Sequence, residues 1–173
     1  MATQLISGVV SNAASTAVPN GVSGAFSRTQ IAESERSAAS RYVVLAGRIL
    51  FSALFLIAGP MHFSQPEIAL AKAAGVPAAN LLVPASGLLA LAGALSILLG
   101  YRAKIGAWLL VLFLVPVTLA MHNFWAAHDP MMMQIQMAMF LKNVSILGGA
   151  LMIAYFGAGP LSLDARRNSP ARR

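Results

Sequence analysis

The sequence predicts an all-α membrane protein, a bundle of four transmembrane helices with both termini in the cytoplasm. The chain of 173 residues is only 10% charged and has a mean hydropathy of +0.72. Its hydrophobic residues make up 58% of the chain, which exceeds the apolar share of ordinary soluble domains. Four apolar runs approach the roughly 20 residues that cross a hydrocarbon core of about 30 Å. Because these runs lack strand alternation and an open sheet edge is unstable in lipid, each is predicted to be a helix.

The predicted spanning helices cover residues 42–60, 80–100, 105–121 and 137–157, inside a membrane domain of residues 41–165. Residues 1–40 are rich in Ser, Ala, Thr and Gly and show no long helical or strand period, which predicts a mostly disordered cytoplasmic tail. No basic residue precedes the weakly apolar start, so a cleaved signal peptide is not expected. A basic C-terminal tail, residues 166–173, closes the chain.

The predicted orientation rests on the basic residues, which collect on one side of the bundle. Arg102 and Lys104 form the turn between the second and third helices, whereas Lys72 alone lies in the opposite loops. The positive-inside rule therefore places both termini in the cytoplasm. The net charge of +7 is explained by this asymmetry and by contact with anionic membrane lipids, so no nucleic-acid partner is expected. The other cations of this side are Arg28, Arg36, Arg41, Arg166, Arg167, Arg172 and Arg173.

Two local patterns predict how the helices are joined and packed. In the first outer loop, Ser64 is a candidate N-cap, Pro66 follows at a position where its missing N–H costs little, and Gly75 ends the pattern. A short interfacial helix is therefore predicted there. The second spanning helix carries small residues at spacings of three and four, which predicts close approach to a neighbouring helix. These residues are Ser86, Ala90, Gly93 and Ala94.

Polar side chains in the outer half of the bundle predict a ligand pocket. Lys142 is expected about 8–9 Å inside the fourth helix, below the histidines of the outer loops. Ser145 and Gly149 share its stripe, while Asn143 turns about 100° away. The predicted pocket comprises Lys142, Asn143, Ser145, His122 and His62, together with Arg48, the counterpart of Lys142 on the cytoplasmic side. For Lys142 and Arg48 a second interpretation stays open, in which the long side chain snorkels to the interface.

The composition also limits the chemistry. With no cysteine, the chain has no disulfide, thiolate metal site or thiol nucleophile, and no catalytic triad or phosphate-binding Gly-rich loop is found. We therefore expect a protein that is not an enzyme on its own. Imidazoles and thioethers suit copper(I), so His122, His128 and Met131 form a candidate copper site. The alternative is that the methionines are flexible apolar contacts.

Several motifs resemble those of a known family. "GRILFSALFLIAG", "LLGYRAKIGAW", "HNFW" and "FLKNVSILGGALMIAYFGAGPLSLD" together resemble the DoxX family of four-helix membrane proteins, and most its YphA-like bacterial inner-membrane branch. The resemblance covers about residues 41–167. It implies a bacterial inner-membrane location. It also implies a redox partner subunit and quinone as a cofactor, because some DoxX proteins are subunits of thiosulfate:quinone oxidoreductase.

Three functional hypotheses follow from the sequence. The first is an accessory subunit or small-ligand-binding protein of the inner membrane, linked to quinone or redox metabolism. The second is a small transporter or channel for an anionic solute, because the intramembrane charges are cationic. The third is a copper-binding membrane protein.

Overall fold

The computed structural model describes residues 20–167. Within this range the chain consists of helices that are joined by short turns. A short 3₁₀ turn, Gly59–Phe63, follows the helix that ends at Ala58, and a second one, Phe124–Ala126, follows the helix that ends at Met121. The helices are α1 (Asn20–Ala58), α2 (Gln65–Ala73), α3 (Ala79–Leu99), α4 (Ala103–Met121), α5 (Pro130–Phe156) and α6 (Leu163–Arg167).

Four segments of the described range are long and apolar enough to cross a membrane, which confirms the predicted number of spanning helices. They are Ala38–Phe63, Ala79–Leu99, Ala103–Ala126 and Pro130–Phe156. By backbone contacts the chain forms two units, Met1–Ala38 and Ala39–Arg173. In the first unit the described residues, 20–38, are helical. The helix bundle belongs to the second unit.

The first helix begins earlier than predicted. α1 starts at Asn20 rather than at residue 42, so residues 20–40, predicted to be part of a disordered tail, are helical in the structure. The physical reason lies in the residues between Gly24 and Gly47, which include no Gly or Pro and many that tolerate a helix. The rest of the predicted tail, residues 1–19, and residues 168–173 of the basic C-terminal tail lie outside the described residues.

The fourth spanning helix also begins earlier than predicted, at Pro130 instead of residue 137. Asp129 is its N-cap, and the carboxylate accepts a hydrogen bond of 2.8 Å from the Met132 N–H. Pro130 fits the first turn because its missing N–H would have no helical partner there. By helical rise Lys142 then lies about 18 Å from Pro130 and about 21 Å from Phe156, near the middle of the helix. Measured from the start of the helix, Lys142 therefore lies deeper than the predicted distance of about 8–9 Å, while its depth in the membrane stays a prediction.

The short helix predicted between the first two spanning segments is confirmed as α2, while its position at the membrane interface stays a prediction. Its N-cap is Ser64 and Pro66 lies in its first turn, although the Ser64 side chain makes no capping hydrogen bond. Gly75 follows the helix with a φ of +82°, a conformation that glycine adopts without strain. Ile68 and Ala71 pack against Val83 of α3, so this helix covers the outer end of the bundle.

The core forms where α3 and α4 pack together over small residues. Ala90 and Ala94, both predicted to face a neighbouring helix, are fully or almost fully buried, together with Ala107 and Leu110 of α4. At Gly93 an added Cβ would lie 2.8 Å from the carbonyl oxygen of Gly106, so the two backbones are in direct contact. In lipid, where no hydrophobic effect drives helices together, such close packing holds the pair.

This contact predicts the effect of a single methyl group. We expect Gly93→Ala to lower the free energy of unfolding by about 1–3 kcal/mol, because a backbone carbonyl must move to make room. Thermal unfolding of the purified protein in detergent measures the change. The matched control is Gly47→Ala on α1, where no atom lies within 4 Å of the added Cβ. Equal unfolding midpoints for the two variants would contradict the packing.

Candidate functional site

Arg48, in the first half of the first spanning segment, is buried and joins three parts of the bundle. Its guanidinium donates to the carbonyl oxygens of Ala158 at 3.0 Å, Leu98 at 3.1 Å and Leu161 at 3.2 Å. Only 5% of the residue is exposed. A planar guanidinium with donors in a fixed fork suits carbonyls that converge from separate segments. Of the two interpretations given for Arg48, the structure supports the inward-facing one.

Two buried polar atoms beside this arrangement have no partner among the described residues. They are the Nε of Arg48 and the hydroxyl oxygen of Ser52, one turn further along α1. Ser52 is completely buried. Spacing of four residues places the two side chains on the same face of the helix. The interior of the bundle therefore keeps a small polar spot next to the guanidinium.

Asp164 fixes the end of the chain to the turn between α3 and α4. Its carboxylate accepts hydrogen bonds from the N–H groups of Arg102 at 2.9 Å and Ala103 at 3.1 Å, at the start of α4. The Asp164 N–H in turn donates to the carbonyl oxygen of Gly100 at 2.8 Å. A carboxylate at a helix N-terminus satisfies N–H groups that have no helical partner and complements the helix dipole.

Ser162 shapes the segment that carries Asp164. Its hydroxyl donates to the Gly159 carbonyl at 2.7 Å and accepts from the Ala165 N–H at 3.1 Å. Gly100, with a φ of +64°, packs so closely on Ser162 that a Cβ at Gly100 would clash with the serine side chain. We call residues 157–167, held by Arg48, Ser162 and Asp164, the C-terminal clasp.

Asp164 and Ser162 were not among the residues predicted from the sequence to be functional. The signal was present, since Ser-x-Asp after Gly-Pro is typical of a turn followed by a capped helix start. The Asp164 carboxylate, however, caps a different helix, α4. Its partner Arg102 lies 62 residues earlier in the sequence. Local pattern alone does not predict a pairing of this range.

The three histidines occupy separate surroundings at the end of the bundle that also holds α2. The ring of His62 lies edge-on to Phe113 at 5.4 Å, and its Nδ1 lies 3.3 Å from the carbonyl oxygen of Ala58. His122 pairs with the side-chain oxygen of Gln136 at 2.9 Å. His128 is exposed. Among residues 20–167 no group of three His, Cys, Asp or Glu side chains is placed to hold a metal ion, and the candidate copper site at His122, His128 and Met131 stays a prediction.

Lys142 and Ser145 lie on the outer surface of α5, exposed in the isolated chain. The ammonium of Lys142 is 3.3 Å from the sulfur of Met139, and the hydroxyl of Ser145 donates to the carbonyl of Leu141 at 3.0 Å. Asn143 is buried instead, with 7% exposed, on the face that also buries Ala150. The predicted stripe is therefore divided: Lys142 and Ser145 are exposed, whereas Gly149 is half-buried and an added Cβ there would lie 3.0 Å from the Phe51 ring of α1.

The six predicted pocket residues are not brought together by any hydrogen bond or ring contact that joins two of them within the described range. Arg48 belongs to the C-terminal clasp, the imidazoles have their own partners, and Lys142 faces outward. Their role in ligand binding stays a prediction. The geometry offers a buried structural centre around Arg48 and an exposed polar face on α5.

Comparison with known proteins gives the family. The SURF4 family model matches residues 3–169. The chain is 31% identical over 127 residues to the inner membrane protein YqjF of Escherichia coli, covering 72% of this chain and 92% of that protein. It is 25% identical over 134 residues, or 78% of this chain, to the ER-derived vesicles protein ERV29 of Saccharomyces cerevisiae, and spans 36% of that protein's length. No solved structure matches.

The resemblance to the DoxX family is therefore wrong, since the model that matches almost the whole chain is that of SURF4. Spanning helices draw on a small set of apolar and small residues, so short motifs such as "LFLIAG" or "ILGGAL" are weak evidence for one family of membrane proteins. The expectations of a quinone cofactor and of a thiosulfate:quinone oxidoreductase partner were implied by that resemblance alone, so both lose their support.

The Arg48 contacts predict that lysine cannot replace this arginine. We expect Arg48→Lys to lower the free energy of unfolding by about 1–3 kcal/mol, because an ammonium lacks the fork and leaves buried carbonyls unpaired. Thermal unfolding in detergent measures the loss. Arg41→Lys, at an exposed position on the same helix, is the control that should leave the midpoint unchanged. A similar midpoint for the two variants would show that the three hydrogen bonds contribute little.

Proposed function

The chain belongs to the SURF4 family of integral membrane proteins. We propose that it is an accessory subunit of a protein complex in the bacterial inner membrane. In this role it binds a second membrane protein through the exposed face of α5. Its similarity to YqjF over 92% of that protein supports the location, since YqjF is named as an inner membrane protein. ERV29 is named for ER-derived vesicles, which are also membranes, and neither name implies a reaction.

The observation that carries the proposal is the position of Lys142. It lies near the middle of a spanning helix, on the outside of the bundle, and its only hydrogen-bond partner among the described residues is the thioether of Met139. An ammonium at the bilayer centre costs about 2.5–3.5 kcal/mol. A lysine this far from both helix ends reaches the interface poorly by snorkelling. An external anionic partner would remove most of that cost.

The surroundings of Lys142 suit a helix as the partner. We call the surface formed by Leu141, Lys142, Ser145, Gly148 and Met152 the α5 face, and its residues are exposed. Gly148 has no atom within 4 Å of where a Cβ would be, so the helix backbone is open there. Small residues at this spacing allow a second helix to approach closely, and the hydroxyl of Ser145 adds a polar contact.

The charge of the α5 face also defines the partner. The whole chain has five acidic residues, and none lies within the spanning part of α1, α3, α4 or α5. Two copies that met through this face would bring two Lys142 ammonium groups together, which is unfavourable in lipid. We therefore propose a different protein with an aspartate or glutamate at the middle of a transmembrane helix.

Photo-crosslinking in intact membranes tests this role. A photoreactive amino acid at Ser145 is expected to give a heterologous adduct, whereas the same group at Leu88, exposed on α3, is the matched control and should give none. Lys142→Met should abolish the adduct and Lys142→Arg should retain it. The captured protein must carry an intramembrane carboxylate whose amide variant also abolishes the adduct.

Two outcomes would overturn the proposal. One is an adduct whose mass is twice that of this chain, which would make the α5 face a self-association surface. The other is an adduct that persists in Lys142→Met, since the lysine would then not contribute to recognition. The transporter hypothesis has less support. No hydrogen bond in the described part of the chain links Lys142 with Arg48, so the two cations are not joined into one path for an anion.

We also propose that both termini face the cytoplasm. The bond between Asp164 and Arg102 places the C-terminal clasp at the same end of the bundle as the turn between α3 and α4. Arg102, Lys104, Arg166 and Arg167 therefore share this end, and by the positive-inside rule it faces the cytoplasm. Lys72 lies in α2, at the other end.

Reporter fusions after Arg173 test the orientation. Green fluorescent protein, which fluoresces when it folds inside the cytoplasm, is expected to be bright. Alkaline phosphatase, which is active only outside, is expected to be inactive. The same two reporters inserted after Gly75 are the control and should show the opposite pattern. An active phosphatase after Arg173 would reverse the orientation.

A further inference from the structure

A cavity of about 430 Å³ lies between the start of α4 and the C-terminal clasp. It is separate from the α5 face and contains no residue of the predicted ligand pocket. Polar and apolar groups divide its wall. The wall includes Arg102, Lys104, Ile105, Phe156, Ser162 and Asp164.

The cavity is located at a boundary of the membrane. Ala103 is the first residue of one spanning segment and Phe156 is the last residue of another, and the cavity lies between these two ends. Lipid headgroups occupy this level, next to the hydrocarbon core. Exposed aromatic residues mark the same level, as is usual at membrane interfaces. They are Tyr101, Trp108, Tyr155 and Phe156.

The cavity carries unpaired positive charge. Lys104 makes no hydrogen bond or ion pair with any described residue, and the guanidinium of Arg102 only lies over the Tyr101 ring at 5.8 Å. Asp164 also lines the cavity, but its two carboxylate oxygens accept from the N–H groups of Arg102 and Ala103. The carboxylate keeps its charge, but its oxygens face the backbone donors. The wall therefore has two cations against one anion, and the two cationic side chains have no anionic side-chain partner in the described part of the chain.

An apolar surface continues from the cavity toward the membrane interior. Ile105 is 54% exposed and Phe156 is 74% exposed. The stem of Lys104 lies against Gly157, with its Cε 3.4 Å from where a glycine Cβ would be, so the lysine stands beside the end of α5. A ligand that fits both parts has a negatively charged head and a hydrocarbon tail.

The geometry points to a binding site for the phosphate headgroup of an anionic phospholipid. Arg102 and Lys104 bind the phosphate, and Ile105 with Phe156 contacts the first part of the acyl chains. A free phosphate ion offers the same charge, but it would leave the apolar half of the cavity uncovered. The bilayer supplies anionic lipid at this level at high local concentration, and cations near its surface attract it.

Native mass spectrometry of the detergent-solubilised full chain tests the site. With phosphatidylglycerol, an anionic lipid, the protein is expected to retain one lipid more strongly than with phosphatidylethanolamine. Lys104→Gln should weaken phosphatidylglycerol binding about fivefold, as expected for the loss of one cation near a lipid surface. Arg102→Asn should do the same, and asparagine is chosen because residue 102 has a φ of +49°, which asparagine tolerates.

Controls separate the site from general charge effects. Lys72→Gln removes one exposed cation at the other end of the bundle and should leave the lipid affinity unchanged. Lys104→Arg keeps the charge and should restore binding, and equal thermal unfolding midpoints show that each variant is folded. The proposal is overturned if Lys72→Gln and Lys104→Gln lose the same affinity. It is also overturned if inorganic phosphate displaces the lipid at equal concentration, which would identify a free-anion site.

Discussion

Arg48 donates from α1 to carbonyl oxygens on α3 and on the C-terminal clasp, and this buried guanidinium positions one whole end of the bundle. Carbonyls at the end of a helix have no partner within that helix, and inside a membrane protein they have little water to bond. One arginine satisfies several of them together. Because the clasp is held in this way, Asp164 reaches the start of α4 and the turn between α3 and α4 is closed by hydrogen bonds.

The two functional surfaces that we propose depend on this architecture in different ways. The lipid cavity lies directly between α4 and the clasp, so its shape exists only while the clasp is in place. The α5 face depends instead on which side of α5 is buried against the bundle. Asn143 and Ala150 take the inward side, and this leaves Lys142 and Ser145 exposed near the middle of α5.

The sequence was sufficient for the fold and insufficient for the site. Four apolar runs of spanning length predicted four spanning segments, and Ser64 with Pro66 predicted α2. Helix starts were missed where hydropathy is low but caps are good, as at Asp129 and Pro130. The side on which Lys142 lies was left open because α5 is apolar on every side, so periodicity does not show its buried face. Asp164 was missed because its partners lie far away in sequence.

The central claim is that Arg48 holds the C-terminal clasp, and amide hydrogen exchange of Arg48→Met tests it most directly. We predict that exchange rises in residues 157–167, where the Asp164 N–H donates to the Gly100 carbonyl, and at the N–H groups of Arg102 and Ala103, which donate to Asp164, while α2 at the other end is unchanged. Faster exchange restricted to α1, with the clasp as protected as in the unmodified protein, would contradict this role of Arg48.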